Sequence, residues 1–212
     1  MRRLFELGFV ILATLFNVNA IAAPTLTVVG GMLTGAERVN VNGTLYDVSF
    51  QDGSCISLFN GCDASKFAFS SNSQTLLASQ ALIDQVFLND PLGAFDATPA
   101  LTRGCGDIDL CEVWTPFATS PSYVAIGAAV NQRSTLTDYA YTFGVPGLSA
   151  SFSSTNSSTN GSLWVYAVWT RSPASVAAPS TLACVALGVL GLILSRRQRQ
   201  PAKSVNRECL VR

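Results

Sequence analysis

The sequence predicts an α+β fold: one mostly antiparallel sheet with one packed amphipathic helix, plus a C-terminal transmembrane helix. Asn42-Gly43, the strongest two-residue hairpin signal, separates two runs of alternating apolar and polar residues. Residues 74–88 carry apolar side chains at helical spacing. Residues 163–170 are aromatic and β-branched, which is typical of a strand. At 212 residues the chain has room for one ordinary domain.

Residues 1–23 have the pattern of a secretory signal peptide. Two arginines near the start precede an apolar run from Leu7 to Val18, and Ala20-Ile21-Ala22 provides a small-x-small cleavage site. The apolar run is shorter than the ~20 residues that a spanning helix needs, so an uncleaved anchor is the weaker interpretation. We therefore expect export, with an extracytoplasmic α+β domain over residues 24–172.

The domain is predicted to begin with three strands. Gly30-Gly31 ends the first of them and Asp52-Gly53 closes the third, because glycine and aspartate favour turns. In chain order these predicted strands are Thr25–Val29, Val39–Val41 and Thr44–Phe50.

Residues 74–88 are the one convincing soluble helix. Ser71, Asn72 and Ser73 are candidate N-caps, and Asn89-Asp90-Pro91 is expected to stop the helix. The apolar face that we expect to pack on the sheet consists of Leu76, Leu77, Ala81, Ile83, Val86 and Phe87.

The second half of the domain is predicted to be a loop followed by strands. Residues 95–111 are rich in turn formers, and the Ser/Thr/Asn-rich segment 149–162 is also expected to be a loop. Residues 123–130 fit either a strand or the start of a helix. The remaining segments are a short edge strand at Glu112–Phe117 and strands at Tyr139–Phe143 and Leu163–Thr170.

Four cysteines of the domain lie in two close pairs, Cys55 with Cys62 and Cys105 with Cys111. In an exported protein an even number of cysteines at short spacing predicts disulfides. Of the three possible connectivities we favour the two local pairs, because both segments look like tight loops. Free buried thiols are the alternative. Neither pair has the two-residue spacing of a zinc knuckle, so no metal site is predicted there.

Composition excludes several classes of function. The sequence contains no histidine, which removes Ser-His-Asp and Cys-His catalysis and His-ligated zinc. Between Pro24 and Pro173 eleven acidic residues face five basic ones, a net charge of −6 that argues against nucleic-acid binding. No phosphate loop or nucleophile elbow is present. We expect a protein that is not an enzyme and that needs no cofactor.

Two weaker patterns remain as candidate sites. Asp107, Asp109 and Glu112 form an acidic cluster of the kind that binds calcium, although a solvated acidic loop is the favoured interpretation. Three tryptophans could form a sugar-stacking face, which with Asp107 and Asp109 would make a carbohydrate-binding or carbohydrate-processing domain. Aromatic residues in strand patterns are more often core. These tryptophans are Trp114, Trp164 and Trp169.

Residues 173–212 read as a membrane-targeting tail. The segment 176–195 is about the minimum length that crosses a bilayer. The basic end, residues 196–212, would keep the C-terminus in the cytoplasm.

The tail resembles a PEP-CTERM sorting signal, a module also called the ice-binding protein C-terminal domain, a name that implies no ice binding. The resemblance lies in Val176–Ala183, in the Gly/Leu-rich run Leu187–Leu192, and in the arginine cluster that follows; Ala177-Ala178 replaces the family's Pro-Glu. It implies an exported precursor in an exopolysaccharide-producing Gram-negative bacterium, processed by an exosortase. The residues of this predicted signal are Val176, Pro179, Ser180, Thr181, Leu182, Arg196 and Arg197.

Two segments of the domain, residues 43–55 and 78–87, are also similar to PEP-CTERM-tailed proteins without an assigned activity. The resemblance therefore implies a cell-envelope or extracellular-matrix protein that starts in the inner membrane, reaches the surface and has extracellular polysaccharide as a possible partner. The alternatives are the carbohydrate-directed domain and an unprocessed single-pass membrane protein.

Overall fold

A seven-stranded sheet forms the centre of the fold. The structure is a computed structural model that describes residues 23–133, 136–153 and 162–173. The elements in these residues belong to the unit that ends at Ser172. Its strands are β1 (Thr25–Val29), β2 (Met32–Val41), β3 (Thr44–Gln51), the two-residue β4 (Asn89–Asp90) and β5 (Gly93–Ala94), β6 (Leu110–Ser120), β7 (Tyr123–Gln132), β8 (Tyr139–Ser149) and β9 (Trp164–Arg171).

The strands of the large sheet lie in the order β1-β2-β3-β9-β6-β7-β8, and β4 pairs separately with β5. Neighbouring strands are antiparallel except for β6 and β9, which run parallel. The prediction of a mostly antiparallel sheet is therefore confirmed. Strand β9, the last strand in the described residues, lies in the middle and joins the β1–β3 meander to the β6–β8 meander.

The hairpin predicted at Asn42-Gly43 is present between β2 and β3. Val41 pairs with Thr44 across the turn. Asn42 and Gly43 have φ values of 48° and 86°, the left-handed pair that a two-residue type I′ turn requires. The turn matches the twist of the strands that it joins.

In the part of the chain that the structure describes, two α-helices cover the sheet, one more than the sequence predicts for the domain: α1 (Cys55–Leu58) and α2 (Asn72–Gln85). The Ser71 side chain caps α2 by accepting from the backbone N–H of Gln74, as one of the three candidate caps was expected to do. The helix ends at Gln85, three residues earlier than predicted. Short 3₁₀ turns lie at Ala64–Lys66, between the two helices, and at Pro99–Leu101, after α2.

The predicted apolar face of α2 is wrong in part. Leu76 and Leu77 are 39% and 46% exposed, whereas Val86 and Phe87 are buried just after the helix. The side that contacts the sheet carries mostly small residues, which allow a close approach. Its buried members are Thr75, Ala78, Ser79, Ala81 and Leu82.

Two hydrophobic clusters occupy the two faces of the sheet. The larger lies under α2 and contains Phe50, Leu82, Val113 and Ala167 among others. The smaller lies on the opposite face, under α1. Its buried members are Cys55, Phe59, Cys62, Trp114, Val124, Ile126, Ala128, Ala150 and Tyr166.

Strand β6 corrects the prediction of a short edge strand at Glu112–Phe117. It has eleven residues and lies between β9 and β7 in the interior of the sheet. Val113 contributes to one cluster and Trp114 to the other, so the strand is covered on both faces. The ambiguous segment after it is the strand β7.

No helix in the described part of the chain is long and apolar enough to cross a membrane. The predicted transmembrane segment, 176–195, lies outside the described residues, as do positions 1–22 of the predicted signal peptide.

Candidate functional site

The three tryptophans do not form one surface. Trp169 is 5% exposed and belongs to the cluster under α2. Its ring packs edge-on against Tyr46 and Phe69, with centroids 6.3 and 5.6 Å away, and its indole N–H donates to Thr115 Oγ1 over 3.0 Å. Trp169 is a core residue, which removes one third of the predicted sugar-stacking face.

Trp114 and Trp164 meet on the other face of the sheet. The parallel pairing of β6 with β9 places Glu112 beside Trp164 and Trp114 beside Tyr166. The two indoles stack with centroids 5.7 Å apart and an interplanar angle of 28°. Phe152 packs against both rings, at 5.7 and 5.6 Å. The register of one strand pair therefore brings residues fifty positions apart into one aromatic group.

These rings form one wall of an open cavity of about 380 Å³, which we call the aromatic cleft. Glu112 of β6 and residues of β7 and β8 supply the rest of its lining. Phe143 is 48% exposed, so part of its ring faces solvent. Four of the lining side chains carry a polar group: the Glu112 carboxylate, the Tyr141 hydroxyl, and the indole N–H groups of Trp114 and Trp164. The cleft consists of Glu112, Trp114, Ile126, Tyr141, Phe143, Leu148, Phe152 and Trp164.

Glu112 is the one ionisable acid in the aromatic cleft. Its Oε2 accepts hydrogen bonds from the Trp114 indole N–H and the Tyr141 hydroxyl, both at 3.1 Å. Burial raises the pKa of Tyr141 well above its ordinary value, and the neighbouring Glu112 charge raises it further. Tyr141 therefore stays protonated and acts as a donor, and the two bonds hold the carboxylate against the aromatic wall.

No cation faces Glu112 from within the described ranges. The salt bridge in these ranges joins the Arg133 guanidinium to the Asp109 carboxylate over 3.2 Å and does not involve Glu112. Both of its side chains are more than half exposed. The carboxylate in the aromatic cleft is thus neutralised by neither lysine nor arginine among the residues described.

The acidic residues of the calcium hypothesis do not converge. Asp107 Oδ1 accepts from the backbone N–H groups of Asp109 and Leu110, at 2.8 and 3.1 Å, which is a local turn. Asp109 pairs with Arg133, and Glu112 lies in the aromatic cleft. Within the described residues no group of three or more acidic or cysteine side chains is placed to hold a metal ion. Neither Asp107 nor Asp109 lines the cleft, so the carbohydrate hypothesis loses its acids as well.

Both predicted disulfides are present. Cys55 pairs with Cys62 and Cys105 with Cys111, with Cα atoms 4.8 and 5.6 Å apart. The first belongs to the cluster beneath α1, which also contains Trp114, and the second ties the loop before β6 to that strand in the cluster under α2. Each face of the sheet thus has one cross-link.

The predicted sorting signal lies outside the described residues. No protein-family model matches this sequence, and no curated protein or solved structure is significantly similar to it.

Sequence reasoning missed the role of Glu112 in the cleft, although a signal was present. Side chains alternate along a strand, so Glu112 and Trp114 must share a face, whereas Trp164 and Trp169 must lie on opposite faces. The proximity of Trp164 to Glu112 depends on the β6–β9 register, for which no local pattern exists.

Proposed function

We propose that this protein is an exported, non-catalytic component of the cell envelope or extracellular matrix. The observation that carries the proposal is the pair of local disulfides, one on each face of the sheet. Disulfides form and persist in oxidising compartments, and they are rare in the bacterial cytoplasm. They fit the secretory signal pattern of residues 1–23.

The tail supplies the expected route. A PEP-CTERM-like signal after Val176 would direct the precursor to the inner membrane, where an exosortase would process it and release the mature form to the surface. The basic end at 196–212 fits a cytoplasmic C-terminus before processing. Extracellular polysaccharide is the expected surrounding material.

Mass spectrometry of the mature protein from an exosortase-containing host tests this route. We expect a mature N-terminus near Pro24, a C-terminus within or before the sorting segment, and no free thiol among the four domain cysteines. Deleting residues 173–212 is expected to release the domain as a soluble exported form. A variant with the arginine pair at 196–197 changed to glutamine serves as a control for the basic stop.

Each alternative has a distinct outcome. A membrane-bound protein that retains its C-terminus through Arg212 is the unprocessed single-pass protein. Free thiols at Cys55 and Cys62 in a cytoplasmic protein would contradict export itself.

A further inference from the structure

We propose that the aromatic cleft binds a small organic ammonium ion with apolar substituents. The cleft joins a wall of aromatic rings to one carboxylate, and no cation neutralises that carboxylate within the described residues. Its volume of about 380 Å³ lies in the range of small-molecule sites. This inference is independent of the proposed route of export.

The aromatic rings supply the first half of the recognition. An ammonium or guanidinium ion is attracted to the negative face of an aromatic ring, most strongly to tryptophan, and apolar substituents make contact with the same rings. Trp164 and Phe143 are only partly buried and lie in the lining, together with Tyr141. A ligand with methyl groups around a charged nitrogen matches such walls.

Glu112 supplies the second half. Glu112 is half-buried, and its hydrogen bonds from Trp114 and Tyr141 both reach the same oxygen, Oε2. When a ligand enters the cleft and displaces water, the carboxylate needs further hydrogen bonds or an opposite charge. A cation in the cleft would complete the charge balance. Glu112 is also held in place before the ligand arrives, which reduces the entropy lost on binding.

Charge and polarity favour this class over a sugar. Each hydroxyl of a sugar that enters the cleft needs a hydrogen-bond partner, and polar groups are few here, because Trp114 and Tyr141 already donate to Glu112 Oε2. Asp107 and Asp109 lie outside the lining, and Trp169 packs on the opposite face.

Titration calorimetry on the full-length chain tests the proposal, in a polyoxyethylene detergent that contains neither sugar nor choline. The probes are choline, its neutral isostere 3,3-dimethyl-1-butanol, tetramethylammonium, benzyltrimethylammonium and cellobiose. We expect saturable binding of the ammonium probes, with choline binding at least about tenfold more tightly than the isostere.

Three variants locate the site. Glu112→Gln keeps the shape of the side chain and removes its charge. It is expected to weaken the binding of choline about tenfold and to leave the affinity for the isostere unchanged. Trp164→Leu should weaken the binding of both choline and the isostere. Glu37→Gln, which removes the same charge from an exposed position on β2, is expected to have no effect. Equal far-ultraviolet and thermal unfolding profiles show that each variant is folded.

The opposing outcomes are specific. Equal affinity for choline and its isostere would reduce the cleft to an apolar site, and binding of cellobiose alone would assign it to carbohydrate. Failure of all three ammonium probes with the folded wild-type chain would also overturn the inference. None of these results depends on where the protein is processed.

Discussion

At the scale of single residues, burial of tyrosine side chains has a consequence for stability. Tyr166 lies fully inside the cluster beneath α1, and burial raises its pKa to about 12. In the unfolded chain tyrosine ionises near its ordinary pKa of about 10. Unfolding therefore releases a proton at alkaline pH. The stabilisation by the neutral phenol is complete below about pH 10 and decreases as the pH rises towards about 12.

We predict that the free energy of unfolding falls across this window and that Tyr166→Phe makes the fall shallower. The pKa of Tyr141, which is also raised, acts in the same direction, so some slope should remain. Urea unfolding at a series of alkaline pH values measures the slope, and absorbance at phenolate wavelengths follows ionisation. Equal slopes for wild type and Tyr166→Phe would contradict the prediction.

Residue-level features differ in how far the sequence reveals them. The two disulfides were predictable because the partners are close in sequence, at separations of 7 and 6 positions. The hydrogen bond from Tyr141 to Glu112 was not predictable, because Tyr141 reaches Glu112 from a strand 29 positions away. Local spacing carries information about local contacts only.

At the scale of elements, the packing of α2 on β7 depends on Gly127. A Cβ atom at this position would meet the Thr75 side chain and would lie 3.1 Å from the Thr75 carbonyl oxygen. Thr75 is fully buried and donates to the Ser71 carbonyl oxygen at 2.8 Å. The helix can approach the strand because residue 127 has no side chain.

Gly127→Ala is therefore expected to lower stability by about 1–3 kcal/mol, the usual range for overpacking a core. Thr75→Ser removes the methyl group that the new Cβ meets, so it should recover part of the loss in the double variant. Gly144→Ala is the matched control, because a Cβ there contacts nothing within 4 Å. Chemical unfolding of the four variants measures the coupling, and additive losses at positions 127 and 75 would argue against this contact.

The same helix shows why its orientation was mispredicted. The positions 75, 78, 79 and 82 form an i, i+3, i+4, i+7 stripe, but two of them are Thr75 and Ser79. A search for large apolar residues selects Leu76 and Leu77 instead, and these face outward. Small residues that permit close packing are difficult to distinguish from surface residues by hydrophobicity.

At the scale of the whole molecule, β9 holds two meanders together. It pairs with β3 on one side and with β6 on the other, and no direct β3–β6 pairing exists in the sheet. The hairpin between β2 and β3 was predictable from Asn42-Gly43 alone. The position of β9 was not, because its partners are more than forty residues away and strand composition does not specify neighbours.

We predict that residues 24–172 fold as a unit and that residues 24–162 do not. Removal of β9 exposes one edge of each meander and opens both hydrophobic clusters, which contain Val165 and Tyr166 respectively. Thermal unfolding followed by circular dichroism should be cooperative for the longer form only. A cooperative transition of similar midpoint in the shorter form would show that β9 is dispensable.

The central position of the last strand also sets a time order. If the chain is exported from its N-terminus, as proposed, β9 emerges after the other strands of the described residues, and residues 172–175 alone separate its end from Val176. Until that moment the edges of β3 and β6 lack their partner and are open to pairing with other chains. On the proposed export route, the sheet would close only once nearly the whole domain has left the translocon, so the onset of protease resistance would report that transport of the domain is complete.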